Sequence, residues 1–499
     1  MCMALAAQAL TDTAAGGLRG ACLLQGDGSA VFRSVSNDTR SLRAGALYVA
    51  LRGPRFDGHD FAQRAAERGA AGLLVERPLA TALPQLIVGD TGDALGRLAA
   101  YWRGRFALPL IAVAGSNGKT TTTQMIAAVL AQAFGSGDEA IAGEDDDDHT
   151  DVDDGEGERE GEGERERERE RAGGAAHGSD PAGGSAALGG KAAPGPARMR
   201  PRWLATEGNR NNEIGVPLTL LRLRGRHRAA VLELGMNHPG EIARLANWCR
   251  PTVAVITNAQ REHQEFLDSV EATARENGSL IDALAADGTA VFPADDDCAP
   301  IWRALTGERR VLDFALAGEA LAEDAHAGAR SAEPAPAIRA TVRPGVHDAR
   351  VELATPQGPM AITLAIGGVH NARNAAAAAS ACLAAGIAPE PIAAGLAAFR
   401  AVAGRGTRHA LAGGAVLIDD SYNANPDSMR AAIDLLAAHP GPRLLVAGDM
   451  GEVGARSSEF HREVGAYARA RGIDRLLALG DEMRAAADAF GDGAAHFAG

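Results

Sequence analysis

The sequence predicts an α/β fold built on doubly wound parallel sheets, and three observations carry that prediction. Short apolar runs recur along the chain, at 46-ALYVAL-51, 110-LIAVAG-115, 229-AAVLEL-234, 252-TVAVIT-257, 415-AVLIDD-420 and 443-RLLVAG-448. Each is bounded by Gly, Pro or polar residues, the pattern of parallel strands buried on both faces. Alanine-rich helical stretches such as 371-NARNAAAAASACLAAG-386 lie between runs of this kind, as a doubly wound sheet requires. Polar residues then collect just past the strands: Gly115 onward, Glu233, Asn258 to His263, Asp419 with Asp420, and Asp449. Ligands of open α/β sheets sit beyond the carboxyl ends of the strands.

Composition sets the outer limits. At 499 residues the chain exceeds one core and predicts two to four domains. Its five cysteines are widely spaced with no C-x-x-C pair, which argues for a reducing compartment and against a disulfide framework or structural zinc. The N-terminus has no basic segment ahead of its short apolar run, so no signal peptide is expected. No apolar run approaches the roughly 18 residues of a membrane span. The chain therefore reads as soluble and cytoplasmic. The formal charge of −14 comes almost wholly from residues 138–171, which hold 18 Asp and Glu against 5 Arg. The globular remainder is nearly neutral and is no nucleic-acid binder by bulk charge. Residues 135–201, acidic and then Gly/Ala/Pro-rich, bury too little apolar surface to fold and are expected to be a solvated, disordered insert.

Taken in chain order, the first chemical signal is Gly115-Ser116-Asn117-Gly118-Lys119-Thr120-Thr121. It follows a strand and opens a helix, where backbone N–H groups and the helix dipole cradle phosphate. Its spacing, G-x-x-G-K-T, is two residues tighter than the usual phosphate loop. Lys119 is one of two lysines in a chain whose Lys and Arg together number 50. It would neutralise the terminal phosphates, with the Thr120 hydroxyl reaching a magnesium ion. The stretch 206-TEGNRNNEIGVPLTLL-221 places Asn209, Asn211 and Asn212 ahead of a helix-like run. Such amides suit a sugar or peptide, and they serve equally well in a capped turn.

Glu233 ends its strand before 235-GMNHPGEI-242 and is placed to hold magnesium. His263 in 258-NAQREHQEF-266 also follows a strand; a lone histidine is usually structural, but this one lies beside the expected phosphate pocket. Arg405 in 403-AGRGTRH-409 precedes 418-IDDSYNANPDSM-429, which carries Asp420, Asn423 and Asn425. An arginine on such a hinge can close over a nucleotide phosphate.

Together these residues resemble the Mur ligase family of ATP-dependent ligases of peptidoglycan synthesis. The shared features are the short G-S-N-G-K-T-T loop, E-L-G-M-N-x-x-G-E-I, N-x-x-x-x-H, 368-GVHNARN-374 and the GRG arginine. Within the family, 36-SNDTRSLRAGALYVALRGPRFDGHDF-61, TEGNRNNEIGVPLTLL and DDSYNANPDSM look like the members that add D-alanyl-D-alanine. The resemblance covers roughly residues 30–135 and 203–499.

It implies a three-domain architecture. Residues 1–106 would bind the UDP end of the substrate. Residues 107–398 would form the ATPase domain on a central phosphate-loop parallel sheet. Residues 399–499 would form a Rossmann-like domain, expected to be truncated because family members continue beyond 497-FAG-499. It further implies that Asp38 and Arg40 lie on the uridine-diphosphate side, and that Thr120, Glu233 and His263 hold magnesium. Lys119, Glu233 and His263 would be catalytic. Asn371 and Asn374 would lie on the adenine side, with Arg405 and Asp420 contacting nucleotide. Asn423 and Asn425 would receive the dipeptide. The implied cofactors are ATP and Mg2+, the implied substrates UDP-MurNAc-tripeptide and D-alanyl-D-alanine, and the protein is read as a monomer.

One departure concerns the family's A-R-x-K-G-E segment, whose lysine is carbamylated in many members. Here it reads 274-ARENGS-279, with Asn277 in that place. Asn277 is expected to fill the space, so that bicarbonate does not activate the enzyme. The alternatives are a third-residue-adding ligase, folylpolyglutamate synthase, or a phosphate-loop switch that hydrolyses ATP slowly.

Overall fold

A computed structural model of the chain describes residues 1–11, 22–137, 200–317 and 335–498. The insert expected over 135–201 lies, apart from its edges, outside the described residues.

The N-terminal part carries α1 (Met3–Thr11), β1 (Cys22–Gln25), β2 (Ser34–Ser36), β3 (Ala46–Val49), α2 (Ala62–Glu67), β4 (Gly72–Val75), β5 (Gln85–Val88) and α3 (Thr91–Arg103). Its strands form a sheet in the order β1-β5-β4-β3-β2. Only the β1–β5 edge is antiparallel. Asp90 starts α3 by accepting a hydrogen bond from the Asp93 amide, as an N-cap carboxylate does.

Six strands build the central sheet: β6 (Leu110–Ala114), β7 (Trp203–Ala205), β8 (Ala229–Glu233), β9 (Val253–Ile256), β10 (Thr289–Val291) and β11 (Arg310–Val311). All pairs are parallel, in the order β11-β10-β9-β6-β8-β7. The apolar runs of β6, β8 and β9 are buried on both faces, and the period-2 alternation of a strand divides them. Leu110, Ala112, Ala114, Ala230, Leu232, Ala254 and Ile256 pack toward α3, α6 (Glu241–Cys249) and α7 (Val270–Asp282). Ile111, Val113, Ala229, Val231, Val253 and Val255 pack toward α4 (Lys119–Phe134) and α9 (Val369–Ala384). Helix α5 (Gly215–Leu220) precedes α6 and packs against α3, and α8 (Ala299–Thr306) packs against α7. The chain leaves β6 for β7 on one side and later places β9 on the other, so β6 is the switch point where ligands enter.

A four-stranded sheet follows, β12 (Phe314–Ala317), β13 (Ile338–Pro344), β14 (Ala349–Thr355) and β15 (Gly358–Leu364), antiparallel except for the β12–β13 pair. Helices α9 and α10 (Pro389–Ala398) come next. The remaining elements are β16 (Thr407–Ala410), β17 (Val416–Asp419), α11 (Pro426–Ala437), β18 (Leu444–Gly448), α12 (Ser457–Ala470), β19 (Arg475–Leu479), α13 (Met483–Phe490) and β20 (Ala494–Phe497).

One strand departs from expectation. The run 415–420 was expected to be a buried parallel strand. Instead β17 pairs antiparallel with β16 in a two-stranded ribbon, and Val416 and Leu417 are exposed. The turn at Ala412–Gly414 reverses the chain and delivers β17 to its sequence neighbour, leaving the parallel sheet to β18, β19 and β20. That sheet packs one face on Phe460, Val464, Met483 and Phe490.

Candidate active site

The phosphate loop is built by close backbone approach. Gly115 has φ +129, and a Cβ there would meet Thr257 Oγ1 at 2.1 Å. Gly118 has φ +82, and a Cβ there would lie 2.2 Å from Asn374 Oδ1. Glycine is therefore required at both positions by conformation and by space. The segment after β9 clamps the loop from one side: Asn258 Oδ1 accepts from the Asn117 amide at 2.9 Å, and Asn258 Nδ2 donates to the Asn117 carbonyl at 3.0 Å. Gln260 Oε1 accepts from Asn117 Nδ2 at 2.7 Å. From beneath, the buried Asn277 Oδ1 accepts from the Gly115 amide at 2.9 Å. Its Nδ2 has no hydrogen-bond partner among the described residues. The loop runs straight into α4, whose first-turn amides have no acceptor within the helix. Those amides and the positive helix end form an anion nest.

Three groups of the sequence-selected residues stand around the loop. Gly115, Ser116, Asn117, Gly118, Lys119, Thr120 and Thr121 form the loop and the start of α4, with Thr120 and Thr121 buried. Glu233 closes β8 opposite Val113 of β6. It is 3% exposed, and its Oε1 accepts from Asn211 Nδ2 at 2.8 Å. That contact brings the Asn-rich segment to the same strand end. Asn374 on α9 faces Gly118, while Asn371, one turn earlier, donates to the Gly367 carbonyl.

Other selected residues turn to local work. Asn212 Oδ1 accepts from the amides of Ile214 and Gly215, which is the capped-turn reading. Asn209 is exposed. Asp38 and Arg40 grip each other in an exposed turn, with Arg40 Nη2 3.0 Å from Asp38 Oδ2. The hydrogen bonds from Arg40 hold the Asp38 carboxyl below its ordinary range. The Arg405 guanidinium lies 4.0 Å from the centre of the Tyr422 ring, a cation–π stack. Asp420 is exposed beside it, and Asn423 caps its own chain through the Ala424 amide.

Asn425 has two tasks. Its Oδ1 accepts from the amides of Asp427 and Ser428, capping α11, while the side chain also reaches Asn117 on the phosphate loop. His263 adopts φ +50, a left-handed conformation that costs a non-glycine residue free energy. Its Nδ1 lies 2.5 Å from Glu452 Oε2 and its Nε2 3.5 Å from Glu262 Oε1. Burial pulls the imidazole down, but the hydrogen bond and charge of Glu262 carry it above its ordinary value.

Several site residues escaped sequence reading. Arg261 forks onto Asp427 and Glu463, with Nη1 2.6 Å from Glu463 Oε2 and the Arg261 amide 2.9 Å from Asp427 Oδ2. Glu262 holds Lys119 at 2.6 Å. Both belong to 258-NAQREHQEF-266, where the alternation of charge beside a strand end was the available signal.

The donors suit a divalent cation. Glu233 and Glu262 are buried carboxylates at two strand ends flanking β6, and Glu262 Oε2 is buried with no hydrogen-bond partner among the described residues. Oxygen ligands of this kind select magnesium or calcium. Among the described residues no three His, Cys, Asp or Glu side chains converge as a ready ligand set. Magnesium characteristically completes its shell with water and substrate phosphate.

Three family models match the chain: Mur ligase family, catalytic domain, over residues 31–103; Mur ligase middle domain over 188–382; and Mur ligase, glutamate ligase domain, over 404–498. The chain is 36% identical over 489 residues to the UDP-N-acetylmuramoyl-tripeptide--D-alanyl-D-alanine ligase of Escherichia coli strain K12, covering 98% of this chain and 88% of that one. It is 30% identical to the ligase of the same name from Haemophilus influenzae, covering 93% and 84%. Among solved structures it resembles MurF from Acinetobacter baumannii, with TM-score 0.73, 29% identity and coverage of 93% of this chain and 84% of that one.

Proposed function

The chain belongs to the Mur ligase family, and from that premise we propose that it joins D-alanyl-D-alanine to UDP-MurNAc-tripeptide with ATP, giving UDP-MurNAc-pentapeptide, ADP and phosphate. The relatives named above carry this activity in their names. The supporting observation in the molecule is a convergence at one switch point. The Asn425 side chain is hydrogen-bonded to Asn117 of the 115–121 nest, and the Glu233–Asn211 pair closes β8, the strand paired with β6 ahead of that nest. Residues 1–106 are assigned to the UDP end of the substrate, residues 107–398 to ATP, and residues 399–499 to a Rossmann-like part that contacts both nucleotide and dipeptide.

A peptide carboxylate is inert to amines until an oxygen becomes a leaving group. An oxygen of the tripeptide carboxylate attacks the γ-phosphorus of ATP. The bond from that phosphorus to the β,γ-bridging oxygen breaks, and ADP departs with its electron pair. The neutral amine of D-alanyl-D-alanine then attacks the acyl carbon. The tetrahedral adduct loses the amine proton and expels phosphate, leaving the amide.

The protein's part is positioning and charge neutralisation. Lys119 and the first-turn amides of α4 would face the charge that develops on phosphoryl oxygens. Thr120, Glu233 and His263 would hold magnesium, which supplies further neutralisation there. Asn371, Asn374, Arg405 and Asp420 are assigned to the nucleotide. Asp38 and Arg40 are assigned to the uridine diphosphate, and Asn209, Asn211, Asn212, Asn423 and Asn425 to the peptide substrates. Docking of the C-terminal part over the loop would keep water from the acyl phosphate.

Mass spectrometry of the nucleotide product tests the reading. Incubation with all three substrates should yield UDP-MurNAc-pentapeptide. Recovery of unchanged tripeptide alongside consumed ATP would instead identify a hydrolase.

A further inference from the structure

All three N–H bonds of the Lys119 ammonium are engaged within the protein. They reach the Gly115 carbonyl at 2.7 Å, the Ser116 carbonyl at 3.0 Å and Glu262 Oε1 at 2.6 Å. Two of these acceptors are neutral backbone; the third is a carboxylate. Glu262 is only 6% exposed, and its second oxygen is buried without a hydrogen-bond partner among the described residues. Among the described residues the other nearby group able to carry positive charge is His263, whose Nε2 is 3.5 Å from Oε1. A buried carboxylate is tolerated only when it is paired, and here the pairing falls chiefly on the lysine of the phosphate loop.

Nucleotide binding disturbs that pairing. An incoming phosphate competes for the same ammonium and brings negative charge close to Glu262, and like charges at this range repel strongly in a partly desolvated site. We propose that Glu262 is an exchange carboxylate: it holds Lys119 in the nucleotide-free protein, yields it to phosphate, and then takes the divalent cation that arrives with the nucleotide. The orphaned Oε2 is the atom that would meet that cation. Glu262 is then a positioning residue and a metal-side group, and it couples nucleotide affinity to the cation. The inference rests on the reading of residues 115–121 as the nucleotide site. If Glu262 merely fixes the Lys119 rotamer, an amide that preserves the hydrogen bond leaves cation dependence unchanged.

Calorimetric titration separates the two. Binding of ADP, and of ATP with a non-hydrolysable β,γ-bridge, is measured to the wild type and to Glu262→Gln, each in excess Mg2+ and in excess EDTA. In the wild type, chelation should weaken binding sharply. In Glu262→Gln the metal-free nucleotide should bind more tightly than to the wild type, and the loss on chelation should shrink by about tenfold or more. Glu262→Ala provides a second variant, with thermal melts to establish that each is folded, and the same reduction is expected. A cation dependence that stays within twofold of wild type in a folded variant overturns the proposal. Wild-type protein that binds no nucleotide under either condition overturns the nucleotide reading itself, a result plainly distinct from intact binding with unaltered cation dependence.

Discussion

Asn117 of the phosphate loop and Asn425 at the start of α11 exchange two side-chain hydrogen bonds, of 3.2 and 2.9 Å, between positions 308 residues apart. Each amide donates to the other's oxygen. Asn425 simultaneously caps α11 in a capping box with Ser428. The helix α11 of the C-terminal part is thus tied through its N-cap residue to the loop assigned to nucleotide. A double-mutant cycle with Asn117→Ala and Asn425→Ala, read by denaturant unfolding, should give a coupling of about 0.5–1.5 kcal/mol. Asn425→Ala should also lose about 1 kcal/mol for the cap. Additive effects within about 0.3 kcal/mol would mean the pair carries no coupling.

Lys119→Arg keeps the charge and should still abolish turnover, lowering kcat by about a hundredfold or more. The ammonium sits within 3.0 Å of two backbone carbonyls and a carboxylate at once. A planar guanidinium fork cannot enter so compact a set of acceptors. Near-normal ADP release by the variant would show that lysine's scarcity in the chain has no bearing on this position.

His370 predicts a pH dependence of stability. The protein around it strips water from the imidazole and pushes its pKa from 6.5 down to about 4, with only Asp434 acting in the opposite direction. The folded state therefore prefers the neutral ring. Above pH 6.5 neither state is protonated and the residue contributes no slope. Between pH 6.5 and 4 the unfolded chain takes up a proton that the folded chain refuses. Stability then falls by about 1.4 kcal/mol per pH unit. Denaturation of the wild type and His370→Gln across this window should give profiles whose slopes differ by this amount, the wild type being the steeper. Parallel profiles would remove His370 as its source.

Gly96 of α3 packs against the indole of Trp248 on α6, and a Cβ there would lie 2.2 Å from the Trp248 ring. Gly96→Ala should improve helix propensity yet destabilise the protein by about 1–3 kcal/mol through overpacking. The clash shows as a lowered thermal midpoint, and Trp248→Leu should relieve it in the double variant. A stabilised Gly96→Ala protein would mean the helices separate freely.

The central strands were legible because a parallel strand buried on both faces reads as an unbroken apolar run, as 110–114, 229–233 and 253–256 do. The loop was legible because its glycines, lysine and threonine form a local pattern. Long-range choices were not. Whether 416–419 joined the parallel sheet or its own hairpin was decided by the turn at 412–414, which the apolar pattern does not encode. The Asn117–Asn425 pair depends on docking across most of the chain. Glu262 belongs to a residue type that normally sits in solvent, and its pairing with Lys119, a long-range contact, accompanies its burial.

The most direct test of the central claim is ADP release with ATP, Mg2+ and UDP-MurNAc-tripeptide, with and without D-alanyl-D-alanine. Turnover should depend on the dipeptide, with one ADP formed per pentapeptide. ADP release at the same rate in the absence of D-alanyl-D-alanine would contradict it.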